Sequence, residues 1–207
     1  MRPAGVLRAL RQKVLPHWTD LWPEMVASAQ KGKVLHLGPG RSPLPGAVTT
    51  DINPSTKPDM VYDLNLKPWP FKDSTFDGVV ALSILEHLDD FLGVMAEIHR
   101  VSKAGAVTSM LVPHFSSISA FTDPTHKQRL SALSCDYFIS GSELEREYGF
   151  YVPFRFQLVR RYIHLQGGFR YIPGAEWFAG HYPVYWEAYL CYLVRGSGVF
   201  WQLRAVK

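Results

Sequence analysis

Residues 33–52 read KVLHLGPGRSPLPGAVTTDI. An apolar run, Val34-Leu35-His36-Leu37, meets a tight turn, Gly38-Pro39-Gly40, and 11 residues after Gly40 stands an acid, Asp51. Asp51 closes a second apolar and β-branched run, Ala47 to Thr50. Strand, glycine turn, strand and terminal carboxylate is the arrangement with which an open α/β sheet holds a nucleoside. The glycines let the backbone come close to a ligand, and an acceptor-only carboxylate takes ribose hydroxyls. The spacing speaks against a dinucleotide fingerprint. That motif has a third glycine, where Ser42 stands here, and an acid about 20 residues further on.

The elements around this stretch alternate. Residues 5–30 read as an N-terminal helical extension, with Val6, Leu10 and Val14 on one face and breaks at Pro16 and Pro23. Strands are expected at 33–38, 47–52 and 60–63, and Phe76–Ser83 reads as a strand buried on both faces. Residues 89–102 form the clearest helix, with Phe91, Val94, Met95, Ile98 and Val101 as its core stripe and Gly105 as its C-terminal stop. A strand at 107–112 follows, ended by Pro113. Residues 113–150 lose periodicity and read as a cap or active-site insertion with a short helix at 143–149. A strand at 154–165, a helix at 185–194 and a last strand at 198–206 close the chain. Near-continuous apolar strands alternating with helices predict a mostly parallel sheet covered on both faces. The crossover from Gly38 to Val48 holds only nine residues, Pro39 to Ala47, so the first helix should shrink to a turn.

Length and composition fit one domain spanning residues 1–207. The net charge of +4 permits an anionic partner without requiring one. Arg8 and Arg11 interrupt any leader-like apolar run. Cys135 and Cys191 lack metal-ligand spacing, which fits a reducing, cytoplasmic setting and no metal site. The nearest approach to a membrane span, Tyr182–Trp201, contains Glu187 and Arg195.

Further motifs follow the opening one in fixed order. They are Asp63-Leu64-Asn65, then Pro70-Phe71-x-x-Ser74-x-Phe76-Asp77, then Leu85-Glu86-His87-Leu88, then Ile98-His99-Arg100-Val101-Ser102-Lys103-Ala104-Gly105. Together with Gly38-Pro39-Gly40 and Asp51, this series resembles the class I methyltransferases that use S-adenosyl-L-methionine (SAM), in the group called methyltransferase type 11, over residues 33 to about 112.

The resemblance implies a Rossmann-like, doubly wound α/β fold with a seven-stranded sheet. It implies SAM as cofactor, S-adenosylhomocysteine as product, and cofactor contacts from Gly38, Pro39, Gly40, Asp51, Ile52, Asp63, Leu64 and Ser83. Asp51 would take the ribose hydroxyls, Ile52 would stack on adenine, and Asp63 and Leu64 would line the same pocket. Relatives carry an acid where His36 stands. With the first helix reduced, Arg41 is the candidate cation for the SAM carboxylate.

Candidate catalytic residues are His87, after the fourth strand, and His114, after the fifth, with Asp123 and His126 nearby in sequence. Histidine suits a base at neutral pH. The acceptor is expected to be a small molecule, lipid or glycan precursor. Without a zinc ribbon, RNP-type aromatics or a dense Lys/Arg stripe, nucleic acid is not expected. The aromatic C-terminal region, 171–207, reads as core packing in about half of its residues. The rest suit an acceptor pocket, a homodimer face or a peripheral membrane patch. The departures at His36 and Ser42 leave a second reading open, a SAM-fold binding or scaffold protein with reduced catalysis.

Overall fold

The computed structural model describes residues 22–207. The expected helical stretch before Trp22 lies outside these residues. Helix α1 (Trp22–Lys31) holds Pro23 in its first turn rather than breaking there, because proline in a first turn forfeits no hydrogen bond. Strands β1 (Val34–Leu37), β2 (Val48–Asp51), β3 (Met60–Val61), β4 (Phe76–Leu82) and β5 (Ser102–Pro113) run parallel. Strands β6 (Arg155–Leu165) and β7 (Gly196–Val206) complete one sheet in the order β3-β2-β1-β4-β5-β7-β6, with β7 antiparallel to both neighbours. This is the expected mostly parallel, seven-stranded, doubly wound sheet.

The crossover from β1 to β2 carries no helix. Its one buried apolar side chain, Leu44, joins Met25 of α1 with Val34 and Val80 in a small core on one face of the sheet. The main core lies on the other face. There, helix α2 (Phe91–Val101) buries Val94, Met95, Ile98 and Val101 as its 3.6-residue stripe predicts. Asp90 caps α2 by accepting from the Gly93 amide at 2.9 Å.

Glu97 does more than lie on the polar side of α2. It is buried, accepts from the Trp69 amide at 2.6 Å and pairs with Arg100 at 2.7 Å. Arg100 also donates to the Phe71 and Trp69 carbonyls and to Asp73. The turn segment before β4 is thereby fastened to α2.

Two boundaries differ from expectation. Helix α2 stops at Val101, and Gly105 lies inside β5, where a shift of register against β4 between Phe76 and Gly78 calls for its φ of +77°. The helix expected at 185–194 is α6 (Pro183–Tyr189), which starts two residues earlier and ends at Tyr189, and an unexpected helix, α5 (Ala175–His181), precedes it. Pro183 removes the donor that would continue α5 and starts α6 instead.

Between β5 and β6 the insertion holds α3 (Ser119–Thr122) and α4 (Glu143–Tyr148). Residues 125–128 fold back over β4's exit turn, where the Lys127 and Gln128 amides donate to the Glu86 carbonyl at 2.7 and 3.0 Å. In the C-terminal region Trp186 and Trp201 enter the core, while Tyr171, Tyr185, Tyr189 and Tyr192 face outward. Among the described residues no helix is long and apolar enough to cross a membrane.

Candidate active site

Strand order reverses between β1 and β4, and two adjoining cavities open at the carboxyl ends of the strands beside that switch point. The smaller, of about 240 Å³, is lined by Gly38, Asp51, Ile52, Asp63 and Leu64 among the predicted residues. Gly38 leaves β1 with φ +55°, and a Cβ there would meet Ile84 at 2.6 Å, so only glycine fits. The buried Asp51 accepts from the Gly40 amide at 2.9 Å through Oδ2 and from the Asn53 amide at 2.9 Å through Oδ1. Each oxygen keeps a second lone pair. Ile52 stands 65% exposed at the rim.

Pro39, Gly40 and Arg41 line neither cavity; Gly40 spends its amide on Asp51, and Arg41 is exposed in the turn. Ser83 lines the larger cavity instead of the smaller. Its φ of +54° is uncommon for a non-glycine residue and bends the chain sharply out of β4. Sequence reading missed Tyr62, Asn65, Ile84, Thr125 and Lys127 in the smaller cavity. Asn65 belongs to a recognised motif, and Tyr62 and Ile84 adjoin others in sequence. The last two arrive from the insertion, and local pattern carries no sign of that.

His36 has a structural task. Its Nδ1 accepts from the Leu44 amide at 3.0 Å, pinning the helix-free crossover onto β1. Burial, opposed by the Asp51 charge, lowers its pKa to about 4. The imidazole is therefore neutral at pH 7, as an acceptor nitrogen requires.

The larger cavity, of about 370 Å³, is lined by Ser83, Glu86, His87, Asp123, His126 and His164 together with residues of β5 and β7. His87 lines both cavities. Its Nδ1 lies 2.9 Å from Thr125 Oγ1, and that hydroxyl donates to Asp123 Oδ1 at 2.6 Å. A hydroxyl has one proton. With it given to a carboxylate, Thr125 can only accept from His87, so Nδ1 carries the hydrogen and Nε2 keeps its lone pair. Burial and the neighbouring His126 lower the His87 pKa, which holds the ring neutral. Glu86 is buried at 2% exposure, and desolvation raises its pKa to about 7.

His114 is placed differently. It is fully buried and lines neither cavity. The Ser116 amide donates to its Nδ1 at 3.1 Å, and its Nε2 meets Glu187 at 3.1 Å. Glu187 also accepts from the Ser131 hydroxyl and the Ala132 amide. This network ties the insertion to α6 and leaves His114 no nitrogen for a ligand.

Residues 16–110 match the family described as a methyltransferase domain. Among solved structures, a SAM-dependent methyltransferase from Archaeoglobus fulgidus superposes with a TM-score of 0.53 at 15% identity, covering 95% of this chain and 98% of that one. A candidate methyltransferase from Bacillus halodurans gives 0.54 at 14% identity, covering 89% and 100%. The fold is that of a class I methyltransferase. SAM is the cofactor this fold implies. The same methyltransferase fold is shared with the [4+2]-cyclase SpnF, with a TM-score of 0.53 at 15% identity and coverage of 91% and 80%. No curated protein matches the chain in sequence.

Proposed function

We propose that the chain transfers a methyl group from SAM to a small-molecule acceptor, with the nucleoside in the smaller cavity and the acceptor in the larger. The smaller cavity fits the cofactor by its donor set and its shape. Asp51 presents unfilled lone pairs suited to a ribose diol, Ile52 offers an apolar face to a base, and the glycine cradle at Gly38 leaves room for close approach. SAM supplies, when bound, a methyl group on a sulfonium sulfur that departs as a thioether. What the chain adds is alignment and exclusion of water.

The observation that carries this reading is the place of His87, which borders both cavities with its Nε2 lone pair left open by the Thr125–Asp123 relay. His87 acts on the acceptor's nucleophilic atom, and His114 has no part in the reaction. Thr125 and Asp123 are positioning residues that fix the tautomer. His87→Ala is expected to retain SAM binding by calorimetry and to lose transfer of tritiated methyl to acceptors in a cell extract. Retained turnover would remove His87 from the mechanism. The structural kinship with a cyclase supports a second reading, a SAM-fold site used for other chemistry. That reading is favoured if SAM binds and no methyl acceptor is found.

A further inference from the structure

We propose that Glu86, His87 and His126 bind one divalent transition-metal ion at the wall of the larger cavity, and that the ion holds an oxygen of the acceptor. The inference rests on reading that cavity as the acceptor site, and it deepens the part given to His87: with the ion held on Nε2, His87 acts on the acceptor's oxygen through the metal and not as a free base. One donor atom from each of the three side chains lies within 4.8 Å of the others, and all three line the cavity. Two imidazoles and one carboxylate are the ligand set of open catalytic zinc sites and of facial-triad iron sites, which leave positions for an exogenous oxygen.

Two buried atoms support the assignment. Glu86 Oε2 and His126 Nδ1 have no hydrogen-bond partner, although Glu86 is 2% exposed and the His126 side chain 7%. Such orphans are rare and call for an explanation, of which an ion is one. The cations nearby are otherwise engaged: Lys127 pairs with Asp89 at 2.7 Å, and the ion-pair contact of Glu86 among the described residues is His126 itself, at 4.0 Å.

The surroundings resemble an outer coordination shell. Ligating histidines characteristically donate their second ring N–H to a fixed acceptor. His87 does so to Thr125, which is anchored on Asp123. Asp123 also lies 3.8 Å from His126. The ligands come from residues 86–87 and 126, two distant segments. They are locked together by the Lys127 and Gln128 amides on the Glu86 carbonyl. Donors around one ion at ~2.1 Å stand roughly 3.0–3.4 Å apart, so capture draws these side chains inward by about an ångström.

The test uses the full chain stripped with a chelator, titrated with Zn²⁺ by calorimetry and with Co²⁺ by visible absorption. SAM calorimetry is run on the same samples. The expected result is uptake of one equivalent with ligand-field bands from Co²⁺. His126→Ala and Glu86→Gln should each weaken uptake about 100-fold, and Thr125→Val should weaken it about 10-fold. Neither Glu86 nor His126 lines the nucleoside cavity, so unchanged SAM affinity in both variants shows that they fold. No uptake by the wild-type chain at millimolar metal overturns the proposal, as does uptake that both variants retain. Ion uptake of the expected kind without any SAM binding supports the metal site and overturns the methyltransferase reading.

Discussion

His36 shows how one residue can be judged by its neighbours. Its ring nitrogen serves as an acceptor for Leu44, so the folded chain resists protonating it. The folded pKa of about 4 lies below the ordinary 6.5, so between those values the unfolded chain binds a proton that the folded chain refuses. Stability is thus full above pH 6.5 and falls as the pH drops toward 4, by on the order of 3 kcal/mol for this group. Urea unfolding at pH 7 and pH 4.5 should show a smaller loss for His36→Gln than for the wild type. An equal loss would place the pH dependence elsewhere. At Gly38 the prediction is steric. Gly38→Ala forces a positive φ on alanine and a 2.6 Å contact with Ile84, so it should cost about 1–3 kcal/mol and abolish SAM binding. The steric need for glycine at 38 is legible in the sequence, as is the acid that closes β2 at 51, because both follow from local spacing. The task of His36 was not, because its partner Leu44 belongs to a crossover whose path only the packed fold defines.

Among the elements, the strands were easiest to read. β4 was expected at 76–83 and spans Phe76–Leu82, because burial on both faces leaves a continuous apolar run. The shortened crossover was also readable, since too few residues lie between β1 and β2 for a helix. Gly105 was misplaced because a glycine after a helix and a glycine in a bulge share the same positive φ. The start of α6 is set by Pro183, two residues before the expected 185, and α5 has no clear apolar period of its own. The insertion was legible only as irregular. Its work is done by contacts with no sequence period: residue 125 against residue 87, and Glu187 against His114.

Two substitutions test these joints. Glu97→Ala leaves Arg100 and the Trp69 amide without their buried acceptor and should cost about 2–4 kcal/mol in denaturant unfolding. Glu187→Ala strips acceptors from His114, Ser131 and Ala132 and should cost a similar amount. A loss below about 0.5 kcal/mol in either would show that the contact is dispensable.

At the scale of the whole molecule, the switch point between β1 and β4 brings two cavities together, and one residue, His87, borders both. The half proposed for the nucleoside is built from motifs close to the opening stretch. The half proposed for the acceptor is assembled from β4's exit turn and a strap from the insertion, so its chemistry emerges only in three dimensions. The proposed reaction depends on the first half holding SAM. Isothermal titration of the intact chain with SAM tests that most directly. The account predicts micromolar binding that Asp51→Ala abolishes and that NAD does not reproduce. No heat of binding with SAM or S-adenosylhomocysteine, or SAM affinity unchanged in Asp51→Ala, would contradict it.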